Sequence, residues 1–365
     1  MKKIVHVVGT GTIGEPLIGL FTDFRSGMGI DEVTFQKRTP LRSDKAKLDH
    51  LMARGAKLAV DPEVRDDFEK LGHTVSYDSD EALERATVVI DCTPAGNENK
   101  DLYYSKLAGP RGFLAQGSEF GFGKPYARGV NDEALDPDED RFIQVVSCNT
   151  HSITNIIKTL CDEAWTGAEK PGGTPSSGFN LERGVFVCMR RANDVTQVSS
   201  FVPSPQVGSH KDADFGTHHA RDAHHVFETL GLDFDLFSSA VKLNTQYMHS
   251  LWFQLALYRD VTVDELLARF RSNARVAMTA KKEANLIFSF GRDHGYYGRI
   301  LSQVVVVEPT LTVRRKREVV GFAFTPQDGN SLLSSIAAAL WRIEPDWSSV
   351  QERLKVIRRF IYREI

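Results

Sequence analysis

Apolar positions along this chain change rhythm at its midpoint. The run Ile4-Val5-His6-Val7-Val8 is short, almost wholly apolar and stopped by glycines, which is the pattern of a strand covered on both faces. Helical spacing follows over residues 13–24. Residues 31–37 read as a second strand, 44–54 and 62–71 as charged helices, and 87–92 as an apolar strand ending in Thr93-Pro94-Ala95-Gly96. Residues 111–116 and 142–147 supply two more strands. Strands alternating with helices in this way predict an α/β chain whose N-terminal part is a Rossmann-type, doubly wound, mostly parallel sheet.

After Cys148 the pattern differs. One helix continues through Ile153, Ile156, Ile157 and Leu160, and residues 167–178, rich in Gly, Pro and Ser, read as a surface loop. Residues 185–190, 197–202, 241–257 and 300–307 alternate like antiparallel strands with one covered face, while 260–271 and 277–290 read as helices. The end, 331–341 and 348–363, is again helical. The expected organisation is a dinucleotide-binding domain over 1–147, an α+β catalytic domain with a mostly antiparallel sheet over 148–325, and a C-terminal helical stretch (about 331–365) packing back on the first.

Composition narrows the function classes. A chain of 365 residues is long enough for two domains, and a net charge of −3 gives no reason to expect nucleic acid or an anionic membrane as partner. The basic run Arg314-Arg315-Lys316-Arg317 lies between strand-like stretches and reads as a hairpin tip. No window reaches membrane-spanning length without charge, and the N-terminal apolar run is too short for a signal peptide. Cys92, Cys148, Cys161 and Cys188 show neither CxxC pairing nor metal-ligand spacing, so they read as thiols of a reducing compartment, the cytoplasm. His218-His219 and His224-His225 read as a solvated helix face rather than a metal site.

Two motifs carry chemistry. Gly9-Thr10-Gly11-Thr12-Ile13-Gly14 follows a strand and opens a helix, the context a dinucleotide fingerprint needs. Gly9 permits the turn, Gly11 lets the backbone approach a pyrophosphate, Gly14 allows close helix packing, and Thr12 and Ile13 bring amides to the anion at the helix start. The second strand ends in Lys37-Arg38 rather than an acid, which favours NADP over NAD, although NAD stays possible; the alternative is two solvated basic residues. Thr93 and Pro94 follow one strand, Gln116 and Gly117 the next, and all four are expected along the same crevice. The second motif is Ser147-Cys148-Asn149-Thr150-His151, a helix N-cap region. A thiol there feels the positive end of the helix dipole, so its pKa is expected to fall; the alternative is a buried structural cysteine.

Taken in order, these pieces resemble the archaeal-type (type II) glyceraldehyde-3-phosphate dehydrogenases, over nearly the whole chain. Gly9 to Gly14 matches that family's Gly-x-Gly-Thr-Ile-Gly, and Lys37-Arg38-Thr39-Pro40 is similar to its basic stretch. Asp91-Cys92-Thr93-Pro94-Ala95-Gly96 resembles Asp-Ala-Thr-Pro-Gly-Gly, and Gln116-Gly117 resembles Gln-Gly-Gly. Val145 to Thr150 is a full match to the nucleophile motif, Arg190-Arg191-Ala192-Asn193-Asp194 resembles Arg-Arg-Ala-Ala-Asp, and Ser209-His210 resembles Ser-His-His. The resemblance implies NAD(P)-dependent, phosphorylating oxidation of an aldehyde phosphate in a homo-oligomer, a dimer or more usually a tetramer. Cys148 would form a thiohemiacetal and then a thioester that inorganic phosphate attacks. Asn149 would hold the carbonyl oxygen, Thr150, Arg190 or Arg191 and His210 the phosphate groups, with Arg191 favoured of the pair. Asn330 would bind the nicotinamide carboxamide.

Two departures stand out. The family's Thr-x-x-Met-His-x-His ends on its catalytic base, but Thr245-Gln246-Tyr247-Met248-His249-Ser250-Leu251 places Leu251 there. The second is His151, directly behind Thr150, where the family usually has a small or hydroxyl residue; His151 and His249, two residues before Leu251 on the same strand face, are the candidate substitutes for the base. The competing functions are a related semialdehyde or acyl-phosphate reductase, and a nucleotide-binding paralogue with little turnover and a regulatory role.

Overall fold

The computed structural model describes residues 2–117, 119–164, 178–193, 201–326 and 328–365. Residues 167–177 of the expected loop and 197–200 of the expected strand lie outside the described residues, and 201–202 are not in a strand. The chain divides into two compact units, one formed by Met1–Lys124, Asp136–Val145 and Ser334–Arg358, the other by Pro125–Leu135, Val146–Leu333 and Arg359–Ile365.

The first sheet contains β1 (Ile4–Val8), β2 (Glu32–Gln36), β3 (Lys57–Val60), β4 (Val75–Asp78), β5 (Val88–Asp91), β6 (Gly112–Gln116), β7 (Lys124–Tyr126) and β8 (Phe142–Val145), in the order β4-β3-β2-β1-β5-β6-β8-β7. The ladders from β4 through to β8 are parallel. Every side chain of β1 is buried, because a parallel strand in a doubly wound sheet is covered on both faces. Strand order reverses about β1, which pairs with β2 on one side and β5 on the other. The carboxyl ends of strands at such a reversal form the crevice where open α/β sheets bind ligands. The helix Gly14–Asp23 packs Leu17, Ile18, Leu20 and Phe21 inward. Strands β3 and β4 were not expected; four-residue runs between charged helices carry too little periodicity to be read.

The second sheet contains β9 (Arg183–Arg190), β10 (Gln206–Val207), β11 (Leu236–Lys242), β12 (His249–Ala256), β13 (Val276–Thr279), β14 (Val304–Val307), β15 (Thr312–Arg314) and β16 (Glu318–Thr325). Its order is β10-β11-β9-β12-β16-β14-β13, with β15 paired to β16. Pairs β9–β12, β12–β16 and β14–β16 are antiparallel, while β9–β11 and β13–β14 are parallel, so the sheet is mixed. Burial along β12 alternates strictly, with His249, Leu251, Phe253 and Leu255 inward. These join Ile153, Ile156 and Ile157 of the helix Cys148–Cys161 and Phe227 of the helix His218–Glu228 in or beside one apolar core.

Three expectations are corrected here. The stretch 241–257 is not continuous, since β11 ends at Lys242 and β12 begins at His249. Residues 277–290 do not form one helix. Val276 to Thr279 pair in register with Val304 to Val307, and the helix begins at Ala284. Four apolar residues fit either element, and only the distant partner strand decides. His219 and His224 are buried rather than solvated, because the inner face of their helix carries Ala220, Ala223, Val226 and Phe227 along with them. The basic hairpin tip is found where expected, with Arg315 and Lys316 at φ 48° and 67° between β15 and β16. No helix among the described residues is long and apolar enough to cross a membrane.

Candidate active site

In the first unit, Gly9 turns the chain at φ +93° beyond β1, and its amide donates to the Gln36 carbonyl at 3.1 Å. The helix that follows has Ile13 as its N-cap, and no side chain caps it. Isoleucine has no acceptor to offer, so the opening turn suits an anionic ligand. A Cβ built on Gly11 meets nothing within 4 Å, whereas one on Gly14 would sit 2.9 Å from the carbonyl carbon of Gly9 and closer still to its oxygen. At the end of β2, Arg38 is exposed, while Lys37 pairs with Asp44 at 2.7 Å. Lys47, which sequence reading missed, pairs with the same Asp44 at 3.0 Å and reaches the Thr10 carbonyl at 3.1 Å. It sits on a charged helix and matches no motif, so only the packing of that helix reveals it.

Thr93 and Gln116 are tied inward. Asp91, wholly buried at the end of β5, accepts from the Thr93 amide (2.8 Å) and hydroxyl (2.6 Å), from Asn99 (2.7 Å) and from Tyr104 (2.7 Å). That network fixes the turn leading into Pro94. Gln116 donates to the Ser335 hydroxyl at 2.8 Å, and Gly117 completes its turn at φ +64°.

In the second unit, Ser147 is the N-cap of the helix Cys148–Cys161, with extended backbone and its hydroxyl accepting from the Thr150 amide. Cys148 is therefore the first helical residue and is half-buried. Its carbonyl accepts from Asn330 Nδ2 at 2.9 Å, and the same amide nitrogen donates to the Gln303 carbonyl at 3.1 Å. Asn330 Oδ1 accepts from the Ser331 amide, so this wholly buried carboxamide pins the start of the nucleophile helix. The Thr150 hydroxyl, also buried, lies 2.9 Å from that of Ser147.

Asn149 is held from two sides. Its Nδ2 donates to His219 Nε2 at 3.2 Å, and its Oδ1 accepts from the Thr325 hydroxyl at 3.1 Å. Because an amide nitrogen only donates, His219 carries its proton on Nδ1 and directs it at the Thr217 hydroxyl, 3.0 Å away. Thr217 in turn meets Ser238 of β11 at 2.6 Å.

The candidate base residues are locked as different tautomers. His249 Nδ1 accepts from the Arg191 amide at 2.9 Å, so its proton sits on Nε2. Burial, then the nearby Arg191 and Arg190 cations, push its pKa down to about 3. His151 Nδ1 donates to the Ser147 carbonyl at 3.0 Å, which leaves its lone pair on Nε2, and burial lowers its pKa to about 4. Both rings are neutral near neutral pH. Leu251 is wholly buried, opposite Cys188 and Ala323 in the register.

No family model matches the chain. The glyceraldehyde-3-phosphate dehydrogenase of Metallosphaera sedula is similar to it, 30% identical over an alignment of 278 positions that covers 71% of this chain and 71% of its own. That of Pyrobaculum calidifontis is 24% identical over 98% of this chain and 97% of its own, and that of Thermococcus sibiricus 23% over 97% and 98%. The chain belongs to the glyceraldehyde-3-phosphate dehydrogenase family. It is a distant member and an oxidoreductase, as the ordered motifs of the sequence imply.

Within this dehydrogenase the cations expected to hold phosphate are dispersed. Arg191, the favoured member of its pair, is buried with its guanidinium 4.0 Å from Asp328. Arg190 ends β9 exposed, and its charge is felt at His218, His219 and His249. His210 is placed away from Asn149, at 2.9 Å from the Ser239 hydroxyl. Ser238 faces Thr217, and successive strand side chains point to opposite faces, so Ser239 and His210 lie on the other side of β11. The fuller hydroxyl-His-His triplet is Thr217-His218-His219, which the reading of those histidines as a solvated face passed over. The signal was present in the sequence, but a fuller match lay behind an earlier, partial one.

Proposed function

We propose that this dehydrogenase oxidises a phosphorylated aldehyde through Cys148, with a nicotinamide cofactor, NADP in preference to NAD, and with inorganic phosphate as acyl acceptor. The observation that carries this reading is the thiol at the first position of a capped fourteen-residue helix, its own carbonyl held by Asn330. A helix start stabilises a thiolate, and a thiolate is the nucleophile.

The Cys148 sulfur adds to the aldehyde carbon, a C–S bond forms, and the carbonyl π pair moves to oxygen. His249, protonated on Nε2, is a hydrogen-bond donor suited to that oxygen rather than a base. Asn149 keeps one amide hydrogen beyond its bond to His219 and serves the same oxygen. The bound nicotinamide supplies the acceptor for the hydride that leaves this carbon. His151, with its lone pair on Nε2, is the better acceptor for the proton that the Cys148 thiol gives up on becoming the thiolate, though a weak one. Phosphate then attacks the thioester carbon, the C–S bond breaks, and the thiolate returns. Arg190 and His218, both exposed, hold the substrate phosphate in this reading, while His219 braces Asn149. The glycine turn and uncapped helix start fit a pyrophosphate, and Arg38 with Lys47 fits a ribose phosphate.

A weakly active, regulatory paralogue is the second reading, favoured by Leu251 lying wholly buried where the family's base is expected. Loss of such a base lowers rate by roughly two to four powers of ten. The deciding experiment follows cofactor reduction with glyceraldehyde 3-phosphate and NADP, with and without phosphate, in the intact protein and in Cys148→Ser. Phosphate-dependent reduction lost in Cys148→Ser supports the proposal; tight NADP binding without reduction supports the regulator, and phosphate-independent reduction refutes the acyl-phosphate product. We also propose a cytoplasmic homo-oligomer. Trp252 and Phe322 pair on the open face of the second sheet, and Phe322 is 39% exposed. A monomer in light scattering would refute it.

A further inference from the structure

Asp44 is the N-cap residue of the helix Lys45–Ala53, yet it caps nothing. An aspartate at that position ordinarily accepts from the second or third helical amide; here the side chain makes no such bond. Both carboxylate oxygens turn to lysines instead. Oδ2 lies 2.7 Å from Nζ of Lys37, the residue after β2, and Oδ1 lies 3.0 Å from Nζ of Lys47, the third residue of the helix. Lys47 also donates to the Thr10 carbonyl at 3.1 Å, so one carboxylate links the end of β2 to the glycine turn. The side chains of Lys37, Asp44 and Lys47 are only 17%, 20% and 24% exposed. Burial pushes the Asp44 carboxyl up, but the two ammonium groups outweigh it and hold the carboxyl below its ordinary value.

The helix thus forgoes a cap so that two flexible cations are held together. A local rule broken in this way is a mark of functional positions. A lysine is a point charge on a four-carbon stem, and it gives up rotamer freedom when it grips an anion. Asp44 removes that freedom before any ligand arrives. Among the described residues Lys37 uses one of its ammonium donors and Lys47 uses two, which leaves three N–H groups close to the exposed Arg38. A phosphate monoester has three acceptor oxygens to meet them.

We propose that Asp44 is a positioning residue that sets cofactor specificity: it holds Lys37 and Lys47 ready for a ribose 2′-phosphate and so favours NADP over NAD. The inference rests on the NADP reading above and names the group that enforces it. A carboxylate near a phosphate also repels it. That repulsion acts between partly exposed charges and is screened by salt, whereas preordering acts on two long stems at once, so preordering dominates. NAD carries a ribose hydroxyl in place of the phosphate and needs neither lysine.

The test is calorimetric titration of the full chain with NADP and with NAD, repeated in Asp44→Asn, beside thermal denaturation of each apo protein. Asparagine keeps the shape of aspartate but turns one acceptor into a donor, so it releases a lysine. Asp44→Asn is expected to bind NADP about tenfold more weakly, the loss of roughly one charge-assisted contact, and to bind NAD as before. Its melting temperature is expected to change little, because the carboxylate caps no helix amide. In the background Lys37→Met with Lys47→Met, adding Asp44→Asn is expected to cause no further loss of NADP affinity. Equal affinity for NADP and NAD in the unsubstituted chain would refute the NADP reading, and this inference with it. A preference for NADP that survives in Asp44→Asn would refute the role of Asp44 alone. An equal loss for both cofactors, the mark of a merely structural role, would overturn it too, as would a further loss in the lysine-free background. Tighter NADP binding in Asp44→Asn would also overturn it, by making the carboxylate a rival of the phosphate.

Discussion

Gly11 and Gly14 separate ligand binding from folding, because the structure treats their missing side chains oppositely. In Gly11→Ala the new methyl meets no protein atom within 4 Å, so the fold is expected to be indifferent and the melting temperature unchanged. The methyl instead stands where a pyrophosphate would approach the turn. Displacing the anion from one charge-assisted amide contact removes about 1.5–3 kcal/mol, so NADP affinity falls by roughly one to two powers of ten. In Gly14→Ala the methyl would lie 2.9 Å from the Gly9 carbonyl carbon, nearer its oxygen, and 3.4 Å from Cys92 Cβ. The first two are backbone atoms and cannot rotate away, so turn and helix must part. Overpacking of this kind costs about 1–3 kcal/mol, and both stability and NADP affinity are expected to fall. The assay is NADP titration by calorimetry beside thermal denaturation of each apo variant. If Gly11→Ala binds NADP like the unsubstituted chain, the turn is not where the pyrophosphate lies; if it melts early, the open space above it is misdescribed.

Leu251→His restores an imidazole on the inward face of β12 beside Cys188, and turnover is expected to rise by about two powers of ten at some loss of stability; an unchanged kcat would show that proton transfer does not limit the rate. Asn330→Ala strips the Cys148 and Gln303 carbonyls of their buried donor, at about 1–3 kcal/mol for each group, so the melting temperature drops and iodoacetamide labelling of Cys148 near neutral pH slows; wild-type labelling would exclude the pinning role. Acid should destabilise the chain early. Burial holds His6 and His249 near pKa 3 and His151 near 4, and lowers His219 too, so the unfolded chain binds more protons than the folded one below about pH 6.5. Their stabilising contribution is complete above that pH and is lost as pH falls toward 4 and 3, at up to about 1.4 kcal/mol per pH unit for each ring. Urea midpoints that stay level from pH 7 to 5 would contradict neutral burial of these histidines.

Most of the first sheet was legible in the residues themselves. A buried parallel strand has to be apolar along its whole length, and a tight strand-to-helix turn over an anion needs glycine, so β1 and Gly9 to Gly14 announce themselves locally. The capped helix start at Ser147-Cys148 is equally local, since an N-cap hydroxyl and helical spacing lie within a few residues of each other. Roles that depend on partners far along the chain were not legible. Val276 to Thr279 became a strand because Val304 to Val307 lies beside it. The donors of Asn330 turned out to be taken by Cys148 and Gln303 rather than available for a carboxamide, and His219 rather than His210 came to rest against Asn149. Which nitrogen of His249 bears the proton follows from an amide fifty-eight residues away, that of Arg191. The sequence by itself determined the strand-helix rhythm, the glycine turn and the position of the thiol, because each follows from interactions within one turn or one strand. Only the tertiary structure decided which polar groups brace the helix that begins at that thiol, and which nitrogens of the buried histidines carry protons, because hydrogen-bond partners and burial are properties of chain segments brought together, not of neighbours in order.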